Sequence, residues 1–522
     1  MTKLITNSLT WRICLWLSAW FSHGPVGKAM RWLGGLWRGS LTYRLLARLL
    51  CAPSLVKRSA CWRGLSRMNC ALHRFGRLVR ESFLYRCLSA IRRKGCESRL
   101  AGGLFRSGMT SILLFIVAAY APIDWLLRDI WQVEGLSSIW DEALMLVCLF
   151  WVVAQRMLAD KPLQSRLNNV DLGVGAYLLC GLVLLLYTVT NLGVNITGFR
   201  ASMQYLLIFF LVVRLIRDDR DFQMMYDVMI LIAAAIALYG IYQFIIGVEI
   251  PEHWTDQAEQ SVRTRVFSIF SNPNILGGYM VLFAPMAIGR AYASKTVGEK
   301  LFFWFCGLCM CGACLFTMSR GAWMALAIAA VLFALIVDRR LFVAILVAAI
   351  AACFLPFVRS RIGYLFTADF AESNARGGRA KRWGVAFNYL DEADAWTGGL
   401  GYGIYGGAVA VQNKINPHFE YMYVDNYYVK TLAENGIVGL CGLLTSLTSL
   451  LWSGVRACAR TAGTPKKALC AGMLAGIVAT LAESFFESLW EEPYMMAIFF
   501  AVAAMLVYAG FFSEKQQTVD KA

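Results

Sequence analysis

From residue 109 onward the chain is a succession of apolar runs, each about long enough to cross a bilayer, separated by short charged breaks. The runs fall at roughly 109–127, 141–157, 171–190, 202–216, 222–247, 267–289, 301–318, 321–337, 341–357, 430–453, 469–488 and 494–512. Only a helix closes all its backbone hydrogen bonds within one segment in hydrocarbon, so the pattern predicts an all-α polytopic membrane protein of about twelve transmembrane helices. A polar stretch, 358–426, separates the ninth run from the tenth and is predicted to be one large external loop. Recognition or chemistry is expected there, because the embedded remainder can present few polar groups. The expected layout is a basic extension over 1–107, spans one to nine over 108–357, the loop over 358–426, spans ten to twelve over 427–513 and a short tail over 514–522.

Composition agrees: 58% of residues are hydrophobic and the mean hydropathy is +0.56, which excludes a soluble domain of ordinary make-up. The formal charge of +17 is uneven, since residues 1–107 carry 20 Lys and Arg against Glu81 and Glu97, while the rest of the chain has 30 basic and 31 acidic residues. Arg12 interrupts the first apolar run and no small-residue cleavage site follows, so no removable signal peptide is expected. Within Phe75 to Lys94, Leu78, Val79, Leu84, Leu88 and Ile91 recur near helical spacing among arginines, the pattern of a helix lying on anionic lipid. A polybasic run alone is not specific for nucleic acid, and no nucleic-acid partner is expected.

Basic residues fill alternate breaks: Arg156/Lys161/Arg166, Arg214/Arg217/Arg220, Arg290/Lys295/Lys300, Arg339/Arg340 and Arg456/Arg460/Lys466/Lys467. The positive-inside bias puts these breaks and both termini in the cytoplasm, and residues 358–426 outside the cytoplasmic (inner) membrane. Against that bias, Arg200, Arg263, Arg265, Arg320, Arg376, Arg379, Lys381 and Arg382 fall on the outer side, where a negatively charged ligand would account for them. No metal is expected, because Cys306, Cys309, Cys311 and Cys314 lie inside an apolar helix as small hydrophobes and the four histidines are scattered. His418, seven residues before Asp425, reads either as a surface histidine or as a second candidate beside that carboxylate.

Four segments together resemble the O-antigen ligase and polymerase superfamily. They are Arg265 followed by Asn272-Pro273-Asn274; Ser319-Arg320-Gly321; Arg379 to Trp383 with the glycines around Gly399, Gly401 and Gly403; and Asp425-Asn426-Tyr427-Tyr428 running into Glu434 and Gly436. The likeness covers roughly 200–450 and implies an inverting, metal-independent membrane glycosyltransferase without a cofactor. Its donor would be a polyprenyl-diphosphate-linked glycan and its acceptor a glycan, lipid or protein. The chain departs from the family at one position, since Asp425-Asn426 stands where many ligases carry His-Asn.

Such a donor is already activated, so transfer needs a held acceptor oxygen and neutralisation of the departing diphosphate. Arginine suits the second task because it stays protonated and binds phosphate bidentately. Arg320 and Arg379 are the catalytic candidates, and Arg265 and Arg382 the substrate-binding ones, with pairing to lipid headgroups or carboxylates as the alternative. Asp425 is either the proton acceptor or a helix N-cap. The resemblance places Trp383, Asn426 and Tyr428, with His418, on the substrate side; an interfacial aromatic belt explains several tyrosines equally well. Two other readings stand beside the enzyme: a twelve-span transporter and a non-catalytic scaffold for polysaccharide assembly.

Overall fold

A computed structural model describes residues 60–97, 102–159, 166–188, 190–249, 264–270, 272–420 and 422–513. Residues 1–59, Arg263, Tyr421 and the tail 514–522 lie outside the described residues. All regular structure among the described residues is helical, and a helix occupies each of the twelve apolar runs. Among the described residues, seven helices are long and apolar enough to cross a membrane: Asn169–Tyr187, Leu192–Leu215, Asp219–Ile246, Pro273–Ala293, Val297–Phe316, Tyr427–Arg460 and Pro493–Phe511. Counting as one span each of two bent pairs, Gly108–Ala118 with Tyr120–Ile130 and Leu341–Cys353 with Pro356–Phe366, brings the number to nine. Of the remaining three, Arg320–Ile336 is short, and Trp140–Leu158 and Lys466–Glu483 each carry three charged residues near their ends.

Helix starts follow local chemistry, with Asn168, Asn191, Asp218, Asn272, Ser319 and Asn426 each accepting a hydrogen bond from the first turn they precede. The centre of the bundle is the pair Pro273–Ala293 and Lys466–Glu483, whose backbones approach closely. A Cβ built on Gly472 would lie 2.6 Å from the Pro285 carbonyl oxygen, and one on Gly476 2.2 Å from that of Leu282. Small residues permit this contact, the usual means by which helices associate where lipid removes the hydrophobic drive.

The expected amphipathic segment Phe75–Lys94 is not one helix: Ala60–Glu81 ends before Ser82 and Phe83–Glu97 begins after it. The first of the two seats on the end of Trp140–Leu158. There Arg80 Nη1 donates to the carbonyls of Leu158 (3.0 Å) and Ala159 (3.1 Å), a cation at a helix C-terminus. Phe75, Leu78 and Phe83 stay exposed.

Residues 358–426, expected as one large loop between the ninth and tenth runs, hold several short helices. Pro356–Phe366 turns back 82° from the preceding helix, and Ala368–Gly377, Arg379–Glu392 and Ala408–Asn413 follow. This layer inserts its glycine-rich backbone into a break in Tyr427–Arg460 at Gly436, where φ is +62°. Leu400 and Gly401 donate to the freed carbonyls of Ala433 (2.8 Å) and Glu434 (2.9 Å), while Ile437 donates to the carbonyl of Trp396 (2.7 Å). The orphan groups of a broken helix are thus satisfied by protein, the condition for irregular backbone at membrane depth.

Gly399, also at positive φ, has no room for a side chain, because its Cβ would sit 2.3 Å from Glu434 backbone atoms. Gly399→Ala and Gly436→Ala are therefore expected to destabilise the fold, by about 1–3 kcal/mol each from strain and forced displacement. Thermal unfolding of the detergent-solubilised protein measures this, and an unchanged midpoint in both variants would contradict the interlock.

Candidate functional site

Four chain segments meet at the end of the bundle where the 358–426 layer docks. Arg265, 6% exposed, spans two of them: its Nε donates to the Thr317 carbonyl (3.0 Å) and its Nη2 to Asn274 Oδ1 (2.9 Å). Asn274 Nδ2 then donates to Glu487 Oε2 (2.7 Å), joining the Asn-Pro-Asn turn to the 484–492 connection. Ser319 caps Arg320–Ile336 and its Oγ also faces Glu483 Oε1 at 3.5 Å. Gly321 is the residue that lets this turn approach, since a Cβ there would lie 2.8 Å from Glu483 Oε2. Arg320 stacks over the Phe370 ring with its Cζ 5.3 Å from the centroid.

Arg379 opens the helix Arg379–Glu392 and interacts electrostatically with Glu483 and Glu487. One turn on, Arg382 Nη1 donates to Asp425 Oδ2 (2.5 Å) and the Tyr423 carbonyl (3.0 Å), and Trp383 Nε1 to the Val424 carbonyl (3.0 Å). Arg382 and Trp383 thus clamp residues 423–425. The Nε–H groups of Arg379 and Arg382 are buried and meet no hydrogen-bond acceptor among the described residues. Buried donors are nearly always paired, which sets these two apart from the rest of the site.

Asp425 takes φ of +49°, a left-handed conformation that Asp adopts more readily than most residues. The cap of Tyr427–Arg460 belongs to its neighbour: Asn426, 2% exposed, accepts from the N–H of Tyr428 (2.9 Å) and Val429 (3.0 Å). Tyr428 donates its hydroxyl to the Leu481 carbonyl (2.9 Å) and packs its ring 4.4 Å from that of Phe485. The polar groups of Asn426 and Tyr428 are therefore engaged in holding the junction. His418 is exposed; its backbone N–H donates to Asn416 Oδ1 and its carbonyl accepts from the Tyr389 hydroxyl, beside the stacked Tyr389 and Phe419. Arg200, expected among the ligand-seeking arginines, instead pairs with Glu142.

Sequence reasoning missed Arg361, Glu483, Glu487 and Glu491. Buried Arg361 donates from Nε to the Met318 carbonyl (3.1 Å), holding the Ser-Arg-Gly turn, where Met318 has φ of +56°. Glu487 lies in the connection between helices, of intermediate exposure. Burial, reinforced by the charge of Asp425, raises its carboxyl pKa to about 7, while Asn274 and Arg379 pull the other way. The available signal was four glutamates within Glu483–Glu492, at the end of an apolar run. Glu434 pairs with Lys430 (2.9 Å), which also reaches Glu491 (3.4 Å). Glu434 Oε1 accepts from Gly403 N–H (2.9 Å), so this buried set fastens the glycine layer to the bundle.

No curated protein matches the chain. A family model described as O-antigen ligase matches residues 305–444, a stretch running from within Val297–Phe316 to within Tyr427–Arg460. It takes in Arg320, Arg361, Arg379, Arg382 and Asp425, and leaves Arg265, Asn274 and Glu487, which the fold brings to the same place, outside it. That matched segment, set in a bundle of apolar helices, is similar to the O-antigen ligase family and supports membership in it.

Proposed function

We propose that the chain is a membrane glycosyltransferase of the ligase type, moving a glycan from a polyprenyl-diphosphate carrier to an acceptor hydroxyl at the outer face of the cytoplasmic membrane. The observation that carries this reading is the convergence of Arg320, Arg379 and Arg382 on one end of the bundle, with the buried Nε–H groups of Arg379 and Arg382 meeting no acceptor among the described residues. A diphosphate brings several anionic oxygens and supplies those acceptors. In the reaction the acceptor oxygen bonds to the anomeric carbon as the bond from that carbon to the phosphate oxygen breaks. Charge grows on the departing diphosphate, where fixed arginines act most strongly.

The proton of the acceptor hydroxyl needs a base, and we assign that role to Glu487. Asp425, in the position many relatives give to histidine, is held by Arg382. A deletion strain profiled for cell-envelope glycans, complemented with the wild type and with Arg379→Ala, tests the function. The wild type should restore a missing glycan and the variant should not.

The proposed topology has twelve crossings, both termini in the cytoplasm and the 358–426 layer outside. Glu392 is exposed at the end of its helix. A Glu392→Cys variant should react with an impermeant maleimide in intact cells. Reaction only after permeabilisation would invert the topology.

Asp425→Ala should lower transfer more than Asp425→Asn. Asparagine tolerates the left-handed backbone and still accepts from Arg382, whereas alanine does neither, a difference of roughly 1–2 kcal/mol or about five- to thirtyfold. Transfer at matched protein levels measures it, and full activity of the alanine variant would remove Asp425 from the site.

A further inference from the structure

A cleft of about 470 Å³ opens along the segment that follows Arg265. Its size falls in the range of about 300–1,000 Å³ typical of small-molecule sites. The fold makes this space deliberately. The first apolar run does not continue straight: Gly108–Ala118 and Tyr120–Ile130 meet at 70°, and the second part ends in a π-helical turn, Leu126–Ile130. Such turns are rare and occur often at functional sites. The bend carries Trp125 and Asp129 to face Phe267, Phe270, Glu492 and Tyr494 across the cleft. Asp124 fixes the wall, buried and accepting from Arg128 Nε (2.7 Å) and Trp140 Nε1 (3.0 Å). Gln243 fixes the opposite one, accepting from Ser268 N–H (2.7 Å) and donating to the Ser268 carbonyl (3.1 Å).

The lining sets the partly accessible rings of Trp125 and Phe267, backed by buried Phe270 stacked 5.0 Å from Tyr494, beside the carboxylates of Asp129 and Glu492. Rings to stack on and carboxylates to accept from hydroxyls suit an uncharged, hydroxyl-rich sugar. Three carboxylates in the lining, Asp124, Asp129 and Glu492, outnumber its one cation, Arg128, so the cleft disfavours phosphate. Arg265 and Phe267 are two residues apart, so the cleft begins within roughly 8 Å of backbone from Arg265, which Asn274 links to Glu487, the carboxylate on which Arg379 acts.

We propose that this cleft is the acceptor subsite, holding a neutral sugar ring of the acceptor glycan while the lipid-linked donor occupies the arginine side. The inference rests on the glycosyltransferase reading and makes the acceptor a glycan.

The test uses an Ile269→Cys variant in native membranes, with the unsubstituted protein as the background for labelling. Ile269 lines the cleft, is partly accessible and has no part in the proposed chemistry. Maleimide labelling is followed in four membranes: from cells making both substrates, acceptor only, donor only, or neither. Membranes with acceptor should slow labelling of this cysteine by about tenfold where acceptor stands at ten times its Kd, with donor alone having no effect. Equal labelling in all four membranes, or protection by donor alone, overturns the subsite. Glu492→Gln should raise the acceptor KM about tenfold with kcat for bound acceptor little changed. An unchanged acceptor KM counts against the subsite as well. If Arg379→Ala leaves the glycan profile intact, the glycosyltransferase reading itself fails, a result separate from either labelling outcome.

Discussion

Arg379→Ala is expected to lower glycan transfer about 30- to 1000-fold while the protein remains folded in the membrane, the loss of roughly 2–4 kcal/mol of transition-state stabilisation. Arg379 begins its helix with its Nε–H buried and unmatched, and its charge acts on Glu483 and Glu487 rather than closing a tight ion pair. An arginine so held is free to receive phosphate oxygens. Arg379→Lys should recover part of the rate, since a point charge keeps the attraction but loses the planar two-point contact. Arg320→Ala should fall in the same range, because Arg320 is positioned on Phe370 at the neighbouring helix start. Removing Arg382 should act differently: it releases the clamp on Asp425 and the Tyr423 carbonyl, so its loss shows in stability as well as rate. Near-normal glycan in both the Arg320 and Arg379 variants would sink the diphosphate assignment.

Legibility in the sequence followed the range of the interactions involved. Apolar runs and capped helix starts are local, and each run became a helix. The 358–426 segment read as loop because its helices are short, polar and interrupted by glycine, so no long apolar stripe announces them. Asp425 and Asn426 are both good N-caps by type; a one-residue offset decided which caps, and only the backbone fixes that offset. Lys430 stands four residues before Glu434, a spacing that pairs side chains on one helix face and could have been read from the sequence. Glu487 was invisible for a different reason. Its partner Asn274 lies 213 residues away, and nothing local distinguishes a glutamate aimed into a site from one on a turn.

Transfer by the wild type should rise with pH to a plateau above about 7 and fall about tenfold per unit below it, because a base works only when ionised. The midpoint follows from Glu487, whose carboxyl is raised to about 7 first by burial and then by the charge of Asp425. Glu487→Gln cannot take a proton and should cost roughly 10²- to 10⁴-fold while abolishing the acidic limb. Donor binding should be retained, since the arginines are untouched. Asp425→Asn removes the negative neighbour that helps hold the proton on Glu487, so the limb should move to lower pH in that variant. A residue that merely braced the Asn274 turn would give a slower enzyme with the same pH profile. Rates from protein reconstituted in lipid, followed between about pH 5 and 9, separate the two, and an acidic limb that persists unchanged in Glu487→Gln would place the base elsewhere.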